Sequence, residues 1–268
     1  MDTIANGIRI CYELHGHGPP LVLVHGAGDN LGMWYHQVPA FSARHTVLTY
    51  DVRGFGRTEL PSGPYSIGIL AEDLFALMNA LSLSRASVLG YSMGGRIGLE
   101  LALAHPDAVK SLILANSGAL PRAPTLESSE ERARRMQQLF QEGNNEAIAQ
   151  EMTLSAFSPS FAEREPDAFA RYKAVKLEND PRGLAVAMAG LFSEAAQPDL
   201  SRLRCPVLIV AGELDAYMDA SAARELQAAL PGSELHVLLT GHASAIEAPQ
   251  QFNGIVLDFL GRLYGYAV

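Results

Sequence analysis

The sequence predicts an α/β fold: a mostly parallel, twisted sheet flanked by helices, with a helical insertion in its second half. Three observations carry this reading. Short apolar runs recur along the chain, each closed by glycine or a polar turn. Longer stretches with helical periodicity lie between them. From about Leu120 to Pro198 the alternation stops, and only helical patterns remain.

Taken in order, Ile8–Leu14 alternates like an early strand, and Leu21–Val24 is wholly apolar and ends at His25-Gly26. Thr46–Tyr50 is closed by Asp51, and Ala86–Leu89 runs into Gly90-Tyr91-Ser92. Ser111–Leu114, Val207–Val210 and Leu235–Leu239 complete the set. Apolar runs this short suit strands buried on both faces. Helices are expected over Ile67–Leu81, Gly94–Ala104, Ala220–Leu230 and Pro249–Leu263. Pro249 suits the first turn of the last of these. Within the insertion, Glu127–Gln141, Gly143–Phe157, Glu165–Leu177 and Asp180–Phe192 also read as helices. The organisation is therefore an α/β core of residues 1–119 and 198–268, interrupted by a helical unit at 120–197.

Composition narrows the function classes. A hydrophobic content of 48% supports a sizeable core, and only 18% charged residues argues against a disordered or coiled-coil chain. A net charge of −9 disfavours nucleic-acid partners and adsorption to anionic membranes. Cys11 and Cys205 lie far apart, in neither metal-binding nor redox spacing, and are expected as reduced, buried thiols. The first residues, MDTIANGIRICYELHG, lack the basic-then-apolar pattern of a secretory leader. No apolar run approaches the roughly 20 residues that cross a bilayer. The expected location is cytoplasmic.

The sharpest local signal is Gly90-Tyr91-Ser92-Met93-Gly94-Gly95, between a strand and a helix. This is the context of a G-x-S-x-G elbow, where a tight turn projects the serine beyond the carboxyl edge of the sheet. The helix that follows points its positive end at developing negative charge. A serine hydroxyl is a weak nucleophile and needs a base. Among eight histidines, His242 is placed by Thr240-Gly241 in the loop after the last strand. His15 and His17 sit in an early loop, His236 lies within a strand, and His36, His45 and His105 fall near helix ends where side chains are usually solvated. His25 ends a strand near the site and is expected to fix the loop backbone. The base in turn needs a carboxylate to set its tautomer. Asp215, after the strand Val207–Val210, is the candidate, with Glu213 and Asp219 as rivals. The alternative position, after Ser111–Leu114, offers Ala115-Asn116-Ser117 and no carboxylate. Acyl transfer also needs donors aimed at an oxyanion. The backbone N–H of Met93 is one candidate, and that of Ala27, in His25-Gly26-Ala27-Gly28, is the other, with Gly28 as its rival.

Together with Asp51-Val52-Arg53-Gly54-Phe55-Gly56-Arg57-Thr58 and with Glu247-Ala248-Pro249, these motifs resemble the α/β-hydrolase superfamily, in order from position 25 to 249. The branch is that of small carboxylesterases, enol-lactonases, meta-cleavage product hydrolases and cofactor-free haloperoxidases. The resemblance implies a helical cap after the sixth strand, catalysis without metal or organic cofactor, and structural roles for Asp51 and Arg53. Haloalkane dehalogenases and epoxide hydrolases of this fold use an aspartate nucleophile, and this chain has serine there. The expected activity is hydrolysis of a small, mainly apolar carboxylic ester through an acyl-enzyme. The rivals are a lactonase or C–C bond hydrolase, and a ligand-binding regulator. In the insertion, Met152, Leu154, Phe157, Phe161, Met188, Leu191 and Phe192 are candidates for lining an apolar pocket, joined by Tyr217 and Met218 behind Asp215. Arg122 and Arg182 are the open candidates for holding a substrate carboxylate.

Overall fold

A computed structural model describes residues 1–119, 127–193 and 198–266, the side chains of 127–133 and 191–193 excepted. The core begins with β1 (Asp2–Ala5), β2 (Ile8–His15), β3 (Pro20–Val24), α1 (Gln37–Phe41) and β4 (Thr46–Tyr50). It continues with α2 (Ile67–Ala80), β5 (Ala86–Tyr91), α3 (Met93–Ala104) and β6 (Val109–Ala115). Five helices follow: α4 (Glu127–Glu142), α5 (Asn145–Ala156), α6 (Phe161–Arg164), α7 (Pro166–Leu177) and α8 (Pro181–Ser193). The sheet then resumes with β7 (Val207–Gly212), α9 (Ala220–Ala229), β8 (Glu234–Leu238), α10 (Ser244–Glu247) and α11 (Pro249–Tyr264).

The eight strands form one sheet in the order β1-β2-β4-β3-β5-β6-β7-β8. The pairings β1/β2 and β2/β4 are antiparallel, and all others are parallel. Alternate residues of a strand face opposite sides, so each central strand feeds two cores. Val22 and Val24 of β3 pack with Leu70 and Leu74 of α2 and Ile97 and Leu101 of α3. Leu21 and Leu23 turn the other way, towards Trp34, Phe41 of α1 and Phe252, Val256 and Phe259 of α11. This two-sided burial is why the central strands read as unbroken apolar runs.

Several expectations are corrected. The sequence reading missed β1, a short edge strand exposed at Asp2 and Ile4; with it, Ser111–Leu114 lies in the sixth strand, and the insertion follows that strand as expected. β8 is not buried on both faces: its one sheet neighbour is β7, His236 is exposed, and Leu239 lies beyond it at 77% exposure. His45 is not solvated but fully buried, bonding the Pro19 carbonyl through Nδ1 (3.0 Å) and the Tyr266 hydroxyl through Nε2. Cys11 is buried, whereas Cys205 is only half-buried.

Candidate active site

β5 enters α3 through Ser92, whose φ of 52° and ψ of −117° are unfavourable for a residue with a side chain. The flanking glycines make the turn possible. A Cβ on Gly90 would lie 2.2 Å from the Gly94 carbonyl oxygen, and one on Gly94 would lie 2.1 Å from that of Val24. The strained conformer is held by neighbours. Ser92 N–H donates to Ala115 O at 2.9 Å, and Ser92 O accepts from Ser117 Oγ at 2.7 Å.

The structure brings the three residues expected from sequence into one chain of contacts. His242 Nε2 lies 3.0 Å from Ser92 Oγ, and His242 Nδ1 lies 2.7 Å from Asp215 Oδ2. A carboxylate at Nδ1 assigns the proton to that nitrogen and leaves Nε2 as an acceptor for the serine hydroxyl. Asp215 is 4% exposed, yet four donors surround its carboxylate. Tyr217 N–H (2.8 Å) and Met218 N–H (2.9 Å) reach Oδ1, while Asn116 Nδ2 (3.1 Å) joins His242 at Oδ2. Burying a charge is tolerable when its lone pairs are satisfied in this way. The rings of Tyr91 and Tyr217 both stand beside the imidazole, with centroids 5.1 and 4.9 Å away. The rival carboxylates are engaged elsewhere: Glu213 pairs with Arg224, and Asp219 caps α9.

The loop after β3 abuts the start of α3, because the space beside Gly94 is filled by the carbonyls of Val24 and His25. Met93 opens α3, where a first-turn amide has no partner within its helix. Ala27 is half-buried in the adjoining loop. His25 acts on the backbone, as expected: Nε2 accepts from Val52 N–H at 2.9 Å and Nδ1 donates to Gly26 O at 2.8 Å. Complete burial holds its pKa below the usual histidine range. Asp51 accepts from Leu31 N–H (2.8 Å) and Arg57 N–H (2.9 Å), and Arg53 makes a bidentate pair with Asp73 at 2.6 Å.

The residues expected to line a pocket divide. Tyr217 stands beside His242, and Met218 is half-buried next to it. Met152 packs against Gly28, and Met188 packs into the core on the α2/α3 side. Leu154 and Phe157 instead line a surface cavity of about 550 Å³ with Leu214 and Ala216, whose walls include neither Ser92 nor His242. There Phe157 stacks on Phe161 at 4.1 Å, packing the insertion on itself. The side chains of Leu191 and Phe192, and all of Arg122, lie outside the described residues. Arg182 turns outward, its side chain 82% exposed and paired with Asp180.

Four residues of the site have no role assigned from the sequence. Asn116, passed over for lacking a carboxylate, bonds Asp215 and, at 3.3 Å, the Gly241 carbonyl. Glu247 accepts from Gly241 N–H at 2.8 Å and from Ser158 N–H at 3.1 Å, joining the histidine loop to the insertion. Lys176 and Asp29 form a buried ion pair at 2.7 Å. Asn116 directly follows β6 at the carboxyl edge of the sheet, the one legible hint among them.

Comparison with known proteins agrees with this geometry. The family described as "alpha/beta hydrolase fold" matches residues 19–249. The chain is 32% identical to 3-oxoadipate enol-lactonase 2 of Acinetobacter baylyi, over 97% of each chain. It is similar in structure to the enol-lactonase from Burkholderia xenovorans LB400, with a TM-score of 0.87, 32% identity and coverage of 97% and 99% of the two chains. It also resembles a thermophilic esterase from Thermogutta terrifontis, with a TM-score of 0.84, 29% identity and coverage of 98% and 97%. A serine elbow, a histidine and a carboxylate in series on this sheet, with a family match across most of the chain, lead to one conclusion: the protein belongs to the α/β hydrolase fold family and is a hydrolase.

Proposed function

We propose that the protein is a serine hydrolase that cleaves small, mainly apolar carboxylic esters through an acyl-enzyme. The observation that carries the reading is the unbroken series Ser92 Oγ, His242, Asp215, at 3.0 and 2.7 Å. In this reading His242 Nε2 takes the proton of Ser92 as Oγ attacks the carbonyl carbon. Asp215 stabilises the imidazolium, and the Ala27 and Met93 amides bind the oxyanion. The tetrahedral intermediate collapses, and His242 protonates the departing alcohol. Water then repeats the sequence, and the acid leaves. The outward turn of Arg182 supports a neutral substrate over one held by that side chain. The 120–197 insertion would act as the cap over the site.

A second reading is a lactonase. It is favoured by the similarity to enol-lactonases of Acinetobacter baylyi and Burkholderia xenovorans, and a lactone opens by the same steps with the alcohol still tethered. The test is turnover of p-nitrophenyl esters from acetate to decanoate beside an enol-lactone, by wild type and Ser92→Ala. Rapid turnover of short esters, lost by at least about a thousandfold in the variant, supports the esterase reading. Rapid turnover of the enol-lactone with negligible ester turnover reverses the ranking. Absence of both activities in folded wild type refutes both.

A further inference from the structure

The turn that carries the Ala27 amide is held from two sides. On the core side, His25 and Asp51 fix its flanks, at Val52 N–H and Leu31 N–H. On the other side stands the C-terminal end of α7, from the insertion, almost 150 residues away in sequence. Lys176 Nζ donates to Asp29 Oδ1 at 2.7 Å, Asn179 Nδ2 donates to Gly28 O at 3.0 Å, and Asn30 Nδ2 donates to Val175 O at 3.0 Å.

The turn has a defined shape. Asp29 N–H closes on Gly26 O at 3.2 Å, so Ala27 and Gly28 are its two central residues. The φ of +78° at Gly28 fits the third position of a type II turn, where glycine is favoured. A closure of this kind uses the N–H of its fourth residue and leaves that of its second, here Ala27, to point elsewhere. The direction of the Ala27 N–H therefore depends on where Asp29 is held. Asp29 is held by Lys176, and both are deeply buried, with side chains 1% and 4% exposed. Lys176 also sits over the Tyr172 ring, its Nζ 4.4 Å from the centroid. Such a pair is well fixed, because either charge left alone in this setting is strongly unfavourable.

We infer that Lys176 and Asp29 are positioning residues for the oxyanion hole: through this ion pair α7 clamps the Gly26–Asp29 turn and aims the Ala27 amide at the reacting carbonyl oxygen. The insertion then contributes to transition-state stabilisation as well as to covering the site. The inference rests on the serine-hydrolase reading above. A donor displaced by a few tenths of an ångström binds the ground-state carbonyl almost as before but loses the oxyanion, so the effect falls on kcat rather than KM.

The experiment uses Lys176→Met, Asp29→Asn and the double variant. Each is titrated with a fluorophosphonate that labels the active serine, so that rates refer to competent sites. The expected result is a kcat per labelled site lowered about 10- to 100-fold with KM changed less than about threefold, since complete loss of one oxyanion donor costs about 10²–10³. Affinity for a trifluoromethyl ketone, which forms a tetrahedral oxyanion adduct, should fall in parallel. The double variant should resemble the worse single variant rather than their product, because the two residues act as one unit. It also carries the test if Lys176→Met alone does not fold. The inference is overturned if kcat per labelled site is unchanged and only the labelled fraction drops, or if kcat falls while ketone affinity stays at the wild-type level. Wild type that neither turns over acyl substrates nor takes the label overturns the serine-hydrolase reading, and this one with it. Active wild type with unaffected variants overturns this one alone.

Discussion

Replacing Asp215 by asparagine separates the geometry of the site from its electrostatics. The side chain keeps its shape, and the four contacts on the carboxylate decide how the amide must sit. Oδ1 accepts two backbone amides, from Tyr217 and Met218 at 2.8 and 2.9 Å, so the amide oxygen takes that place. The NH₂ group then replaces Oδ2, where it meets two donors, the Nδ1–H of His242 and Nδ2 of Asn116. The conflict at His242 is relieved by moving the imidazole proton to Nε2, and that nitrogen then donates towards Ser92 Oγ instead of accepting from it. The base is lost, and so is the negative charge that stabilises the imidazolium. The expected loss is about 10⁴-fold in kcat, with KM near the wild-type value, because substrate binding does not use the pair. Single-turnover acylation by p-nitrophenyl acetate measures the step directly. A loss smaller than about tenfold would refute the reasoning, since it would mean that the tautomer of His242 is set by something other than Asp215.

Two further outcomes follow from the packing. Gly94→Ala drives a Cβ into the Val24 carbonyl, so it should lower stability by about 1–3 kcal/mol and reduce activity by displacing Ser92; urea unfolding and ester turnover measure both. Burial depresses the pKa of His25, His36 and His45. A depressed histidine binds its proton more readily in the unfolded chain, so its contribution is fully present above the unfolded value of about 6.5 and is lost as pH falls below it. Urea-derived stability should therefore drop between about pH 7.5 and 5.5, and His45→Gln should flatten that slope.

The legible part of the sequence was the part whose side chains obey a period or a steric rule. The central strands announced themselves because both faces of β3, β5 and β7 are buried, which removes polar residues from the run. The elbow was legible because backbone contacts permit no side chain at positions 90 and 94. β1 was missed although its signal was present. Asn6-Gly7, with φ of 48° and 77°, joins Ala5 to Ile8 in the two-residue hairpin that Asn-Gly favours. A four-residue strand with two exposed side chains carries too little hydrophobic pattern to stand out. His45 failed for a different reason. Its burial depends on Pro19 and on Tyr266, the latter contributed from the far end of the chain, and nothing local encodes either contact. The pocket residues were the least legible, since an apolar helical residue packs equally well against its own unit, as Phe157 does on Phe161, or towards a substrate.

The insertion meets the core at the 54–65 segment, where Asn179 Oδ1 accepts from Gly56 N–H at 2.7 Å and Gly183 packs on Gly54. It also meets the two loops that the proposed mechanism uses. The histidine loop receives Ala156 O at Ala243 N–H (2.7 Å), while Glu247, itself in α10, binds both Gly241 N–H and the insertion residue Ser158. The Gly241 backbone is packed so closely on Phe157 that a Cβ there would lie 2.4 Å from the Phe157 carbonyl carbon. The turn bearing Ala27 receives α7 through Lys176 and Asn179. A lid that merely opened and closed would need weak contacts with the loops beneath it. These are buried, charged or backbone-mediated, and breaking them would release the His242 loop and the turn bearing Ala27 together. Under the proposed mechanism the insertion is therefore a fixed part of the site where it meets the two loops, rather than a detached lid. Variation in substrate preference is then expected where the insertion faces away from them, such as the exposed face of α5 around Leu154.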